Sequence, residues 1–303
     1  MTVLSIGFED GEAKLDWIGL TQAFSEGHNL PRAEIGDTLL QRGNDALLSR
    51  SAWIDGLGIA VKSATVFPGN IEKGLSTVGG VVNVLSDEDG SLKATIDFSL
   101  VTKWKTAGDS LLAASRLARP GSRRVLIVGA GTVAASLREA YGALLPDATF
   151  EIWNRTPQRA EELAERYPHL EAVRDLADAV ERADIITVAT HSKEPVIRGE
   201  WLQPGQHVDL IGAYRPDMRE ADDAALLRSR VFVDSYETTL NHIGELKTPL
   251  AEGVITKADI CADYYDLSAF TRGPDDITLF KNGGGAHLDL MTCDYILRQC
   301  QTA

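Results

Sequence analysis

Apolar residues fall in two rhythms along this chain. In the first hundred or so residues they form short runs broken by turn signals. Ser51–Ala64 (SAWIDGLGIAVKSA) predicts strand, glycine turn and strand, and Gly79–Leu85 (GGVVNVL) predicts another strand. Ser86–Ser91 (SDEDGS) has the Asp-Gly chemistry of a tight turn, and Leu92–Phe98 resumes the strand. Leu100–Ala118, rich in Ala and Leu, predicts a helix that stops at Arg119-Pro120-Gly121, a break and an expected domain hinge.

After the break the rhythm changes. Continuous apolar strands are predicted at Arg124–Val128, Thr149–Trp153, Ile185–Ala189, His207–Ile211 and Val231–Asp234. Helices are predicted from Gly131 to about Leu145, at Gln158–Arg166 and, more polar, at Arg219–Ser229. Strand and helix alternating at this spacing predict βαβ units on a parallel sheet. Asp275–Phe280 reads as a last strand, followed by Asn282-Gly283-Gly284-Gly285 and a helix from about Ala286.

Composition narrows the function classes. Hydrophobic residues make up 44% of the 303 positions and charged residues 24%, which suits a folded globular protein and excludes a disordered or fibrous one. The formal net charge of −14 repels phosphate backbones and anionic lipid, so neither nucleic acid nor a membrane surface is expected as a partner. Cys261, Cys293 and Cys300 form no CxxC pair and no metal-ligand spacing, which predicts a reducing, cytoplasmic setting without a disulfide framework or metal site. The N-terminal residues lack the basic and apolar regions of a signal peptide.

The strongest local motif is Val125–Ala134 (VLIVGAGTVA), a strand followed by a glycine-rich turn and a helix start. Gly129 suits the tight turn, and Gly131 allows close approach of a pyrophosphate to the following helix terminus. Ala134 takes the place of the third glycine. Gly129, Ala130, Gly131, Thr132 and Val133 are therefore the expected dinucleotide cradle. At the end of the second strand stands Trp153-Asn154-Arg155-Thr156, where NAD enzymes usually place an acid on the ribose 2′-hydroxyl. Asn154, Arg155 and Thr156 carry no charge that repels a 2′-phosphate, and Arg155 is suited to bind one. NADP(H) is favoured, with NAD(H) the alternative. Thr190-His191-Ser192, after the third strand, is placed either to contact the dinucleotide or simply to cap a helix.

Further motifs span nearly the whole chain: Leu30-Pro31-Arg32, Gly58–Lys62 (GIAVK), Gly74–Thr77 (GLST), Leu100–Ala107 (LVTKWKTA), Gly212–Glu220 (GAYRPDMRE) and Phe280–Asp289 (FKNGGGAHLD). Together with the glycine loop they resemble the ornithine cyclodeaminase/μ-crystallin family. The resemblance implies a Rossmann domain, 119–284, inserted in a strand-rich α+β substrate and dimerisation domain, 1–118 with 285–303 returning to it. It implies a homodimer and an active site in the cleft. It also implies that Arg32 and Lys105 hold a substrate carboxylate, that Lys62 sits beside the reacting carbon–nitrogen bond, and that Thr77, counted in the substrate-binding set, matches the family threonine that contacts the cofactor. Gly284 is assigned to the substrate side, and Gly212 and Tyr214 join the cofactor-binding set. Lys62 also stands in an otherwise apolar run, where a charge is costly unless paired or functional.

Two departures refine the expectation. Lys105 stands where the family motif commonly has arginine, keeping the charge without the bidentate fork. Tyr214 stands where ornithine cyclodeaminases carry an aspartate, which favours an uncharged ring as substrate. The activity implied is NAD(P)H-dependent reduction of a cyclic ketimine acid: Δ1-pyrroline-2-carboxylate to L-proline, with Δ1-piperideine-2-carboxylate to L-pipecolate beside it. The alternatives are ornithine cyclodeamination, a μ-crystallin-like binding protein without turnover, and alanine dehydrogenation.

Overall fold

A computed structural model describes residues 3–301, and the chain forms two compact units. One comprises the stretch up to Lys105 together with the residues from Gly284 onward; the other is Thr106–Gly283. The division falls inside a long helix, whereas Arg119-Pro120-Gly121 lies within the second unit.

The first unit begins with β1 (Leu4–Ile6), α1 (Phe8–Glu12) and α2 (Trp17–Gly27). It continues through β2 (Glu34–Arg42), β3 (Asp45–Ile54), β4 (Gly58–Val66), β5 (Val78–Leu85) and β6 (Leu92–Asp97) into α3 (Phe98–Leu117). The strands form one sheet in the order β1-β6-β5-β4-β3-β2, antiparallel except for the β1–β6 pair. Strand β4 alternates as an antiparallel strand with one covered face should, burying Gly58, Ala60, Lys62 and Ala64. The C-terminal helix, Ala286–Gln301, packs on β3, β4 and α2. The Tyr295 hydroxyl bonds the Asp16 carboxylate at 2.9 Å, the same carboxylate that caps α2.

The second unit runs β7 (Arg124–Val128), α4 (Thr132–Leu144), β8 (Thr149–Trp153), α5 (Pro157–Ala164), β9 (Leu170–Ala172), α6 (Leu176–Arg182) and β10 (Ile185–Val188). Then come β11 (His207–Leu210), α7 (Asp223–Leu227), β12 (Ser229–Val233), α8 (Tyr236–Thr239), α9 (Gly244–Ala251), β13 (Ile260–Ala262) and β14 (Ile277–Lys281), before the C-terminal helix, α10. All neighbours in this sheet are parallel, in the order β13-β12-β14-β11-β10-β7-β8-β9. Its central strands β10, β11 and β14 are buried at every position, as strands covered on both faces must be. From β7 the chain order runs outward in both directions, through β8 on one side and β10 on the other. That reversal opens a crevice at the strand ends, the ligand position of doubly wound sheets. The fold class is the expected one, a Rossmann unit within a strand-rich α+β unit.

The helix expected over Arg219–Ser229 is shorter, because its first residues are used otherwise. Ala221 bridges to Ile197 and the Glu220 carbonyl accepts the Val196 and Ile197 amides, so the helix starts only after the Asp222 cap.

Candidate active site

The glycine turn after β7 and the loop after β10 meet at the crevice. Gly129 has φ +111°, and a Cβ there would lie 2.4 Å from the Ala189 carbonyl oxygen, so only glycine lets the two loops touch. An open cavity of about 500 Å³ lies against them. Its walls are Gly129–Val133, Trp153–Thr156 with Arg159, Ala189–Ser192 and Val196. The predicted cradle, the Asn154–Thr156 turn and the Thr190–Ser192 loop thus come together around one space. The N-terminus of α4 opens onto it at Gly131, where unbonded amides suit a pyrophosphate. Arg155 is exposed and forms no ion pair among the described residues. These features fit a dinucleotide.

Gly212 and Tyr214 lie outside that lining. Tyr214 is exposed, its ring edge-on to His191 with centroids 6.2 Å apart. Gly212 backs the cavity wall instead: a Cβ on it would fall 1.9 Å from the Thr190 carbonyl oxygen. The group joining the two loops is Glu220, which sequence reasoning did not single out. Its Oε1 accepts from the Thr190 amide at 2.7 Å and hydroxyl at 2.9 Å, and its Oε2 from the Gly212 and Ala213 amides at 2.6 and 3.1 Å. Behind it Glu245 accepts the Glu220 and Ala221 amides at 2.7 and 3.0 Å.

Burial pushes the Glu220 carboxyl up to about 7; Lys281 opposes the shift, Glu245 adds to it, and the Thr190 donors oppose it. An acid raised above its unfolded value stabilises the fold most when protonated, and that contribution is lost as pH rises through about 7. The loops have the opposite need. Each Glu220 oxygen already accepts two bonds, so a proton must displace a donor and loosen Thr190 or Gly212. Wild-type affinity for reduced dinucleotide is therefore expected to fall between about pH 8 and about pH 6. Glu220→Gln is expected to bind roughly tenfold more weakly at the upper pH and to show little pH dependence. Fluorescence titration of the reduced nicotinamide measures both, and a variant that keeps the wild-type profile would remove Glu220 from this role.

In the first unit, a cluster of cations gathers where α10 covers the sheet. Lys62 is 7% exposed, and its ammonium lies 2.9 Å from Asp289 Oδ1 and over the Phe98 ring at 4.8 Å. Burial raises the Asp289 carboxyl, but Lys62, Lys105 and Arg50 together outweigh it, and the net shift is downward. Lys105 is buried and donates to the Gly284 carbonyl at 3.2 Å. His287 is held far below the ordinary histidine range by burial first, then by His28, Lys105, Arg50 and Arg32. Its ring lies edge-on to His28, with centroids 5.3 Å apart. The structure thus brings Arg32, Lys62, Lys105 and Gly284 together, with Arg32 itself exposed just before β2. Thr77 is half-buried between Lys73 and β5, its carbonyl accepting the Phe67 amide; its hydroxyl bonds none of these groups among the described residues. Arg50, His287 and Asp289 were missed as site residues, although the last two lie inside the quoted Phe280–Asp289 motif.

A buried ammonium held by a carboxylate, with further cations beside it, suits a small acid that must also receive a proton. Relatives point the same way. The family model of the ornithine cyclodeaminase/mu-crystallin family matches residues 53–302. A Δ1-pyrroline-2-carboxylate reductase from Paracoccus denitrificans is 51% identical over 302 residues, 97% of this chain and 96% of its own length. The ketimine reductase mu-crystallin of Mus musculus is 30% identical over 241 residues, 78% of this chain and 75% of its own. The Thermococcus litoralis Δ1-pyrroline-2-carboxylate reductase, solved with NADH and L-proline, superposes with a TM-score of 0.90 at 25% identity, covering 99% of this chain and 98% of its own. The match extends over far more than half of the residues, and this chain belongs to the ornithine cyclodeaminase/mu-crystallin family.

Proposed function

We propose that the protein is an NAD(P)H-dependent reductase of cyclic ketimine acids, converting Δ1-pyrroline-2-carboxylate to L-proline and accepting Δ1-piperideine-2-carboxylate as a second substrate. The observation that carries the reading is the Lys62 ammonium, buried and fixed by Asp289 among further cations. A reduced nicotinamide, when bound, supplies the hydride that the imine carbon receives. Lys62 donates to the ring nitrogen, which makes the carbon–nitrogen bond a better electrophile and provides the proton of the product amine. Asp289 keeps the ammonium in place and offsets its charge. Arg32 and Lys105 turn the carboxylate so that one face of the ring is presented, a contribution of positioning.

The cofactor reading is NADP(H), supported by the acid-free turn after β8 and by two arginines, Arg155 and Arg159, on the cavity wall. Tyr214, exposed and uncharged at the aspartate position of cyclodeaminases, supports an imine rather than ornithine as substrate. The test follows NADPH and NADH oxidation separately with pyrroline-2-carboxylate and piperideine-2-carboxylate, with ammonia release from ornithine assayed on the same preparation. Imine-dependent oxidation with the lower KM for NADPH is expected, without ammonia release. Ammonia released from ornithine without net cofactor change would replace this reading with the cyclodeaminase.

We read the active form as a cytoplasmic homodimer. The sheet face opposite α10 exposes Leu40, Leu47, Trp53 and Val81, apolar surface that a second copy of the same face would cover. Sedimentation equilibrium is expected to give twice the chain mass, and a monomer at micromolar concentration would refute it. Cys261, Cys293 and Cys300 are free thiols, and no described helix is long and apolar enough to cross a membrane.

A further inference from the structure

The antiparallel register sets Asp37 opposite Arg50, and Arg50 opposite Lys62, so three charged side chains stand in one row on the sheet face that α10 covers. Like charges directly opposite each other destabilise a sheet. Here each cation is held by its own acid. Asp37 takes the Arg50 guanidinium at Nε (3.2 and 3.0 Å) and Nη2 (3.0 Å), while Asp289 takes Lys62. The remaining end of the guanidinium, carrying Nη1, donates to the Gly284 carbonyl at 3.0 Å. That is the same oxygen to which Lys105 donates. A guanidinium and an ammonium therefore converge on one neutral acceptor, and both contribute to the positive field felt by His287 and Asp289.

Lys105 occupies the place where the family motif commonly has arginine, and a lysine has no planar fork for a carboxylate. Arg50 has one, and Asp37 already fixes its plane from the opposite edge. We propose that Arg50 binds the substrate carboxylate through its Nη1 end, supplying with Lys105 the bidentate grip that an arginine at position 105 would give alone. On binding, Nη1 exchanges the Gly284 carbonyl for a carboxylate oxygen, and Lys105 bonds the other oxygen from its side. The guanidinium half of the clamp thus stands on β3, at the cross-strand neighbour of Lys62, so a group orienting the acid and the group donating to the nitrogen share one row. This proposal rests on the ketimine-reductase reading for its substrate, though the carboxylate site itself is open to direct test.

The test uses the full chain loaded with dinucleotide and titrates pyrrole-2-carboxylate, a planar acid that cannot be reduced, by calorimetry, with imine reduction measured in parallel. Arg50→Gln and Arg50→Lys are each expected to raise Kd for the probe and KM for the imine by about tenfold or more, with kcat within about threefold and dinucleotide affinity unchanged. Lys105→Arg placed on Arg50→Gln is expected to restore Kd to within about threefold of wild type, because the fork returns to the helix. A purely structural role for Arg50 would lower the melting temperature of Arg50→Lys and gain nothing from that second change, which would overturn the proposal. Wild-type probe affinity in both Arg50 variants would also overturn it and leave the reductase reading standing. Should wild type bind the probe Arg50-dependently yet reduce no cyclic imine, the reductase reading falls and the carboxylate site stands.

Discussion

Lys62→Ala is expected to lower the rate of imine reduction by about 10³-fold, within the range that a positioned acid contributes, while reduced dinucleotide binds with near wild-type affinity. The separation is expected because the two tasks lie in different units. Lys62 and Asp289 belong to the first unit, and the glycine cradle to the second, Thr106–Gly283. Single-turnover reduction reports the loss and fluorescence titration of the nicotinamide reports the binding. In Lys62→Ala, Lys105 and Arg50 still provide positive charge near Asp289, so the carboxylate is not left wholly uncompensated. KM for the imine is therefore expected to change far less than kcat, the mark of a group acting mainly in the transition state. A variant within about tenfold of wild-type turnover would strip Lys62 of its proposed part.

Which parts of this arrangement were legible in the sequence follows from the range of the physics involved. The boundaries of β7 and β8 are as expected, because continuous apolar runs between turn residues are a local signal. The glycine cradle was legible for the same reason: a tight turn between strand and helix is written in adjacent residues. Strand β2 was not legible. Nearly all of its positions are exposed, so no alternation marks it, and the glycines within α2 concealed that helix. The site groups missed are those that depend on register or on distant pairing. Arg50 meets Lys62 only because β3 and β4 pair as they do, and Asp289 meets it across 227 residues. Glu220 reaches back 30 residues to Thr190. Lys62 itself was legible because a lone charge in an apolar strand needs a partner somewhere, although which partner was not written nearby.

That partner is the basis of the second large effect. Asp289→Ala is expected to destabilise the protein by about 3–5 kcal/mol, since it leaves the Lys62 ammonium buried beside Phe98 without its counter-ion. Asp289→Asn keeps the shape and loses the charge, so it is expected to lose less stability but much of the turnover. The folded-state pKa of Asp289 lies below its ordinary value, so its contribution is present above the unfolded value of 3.8 and is lost only as pH falls through the lower folded value. The stability gap between wild type and Asp289→Asn should hold from neutral pH to near that limit and narrow beneath it, as read from denaturation midpoints across pH. The Lys62→Met/Asp289→Leu double variant separates packing from chemistry. Replacing a whole buried pair by apolar side chains of similar size is often neutral or stabilising, so this variant is expected to regain most of the stability lost in Asp289→Ala. It should nevertheless reduce imine no faster than Lys62→Ala, because the ammonium placed to donate to the ring nitrogen is gone. If the double variant turned over cyclic imine at a rate approaching wild type, the pair would be a core feature alone, and the proton would have to come from elsewhere.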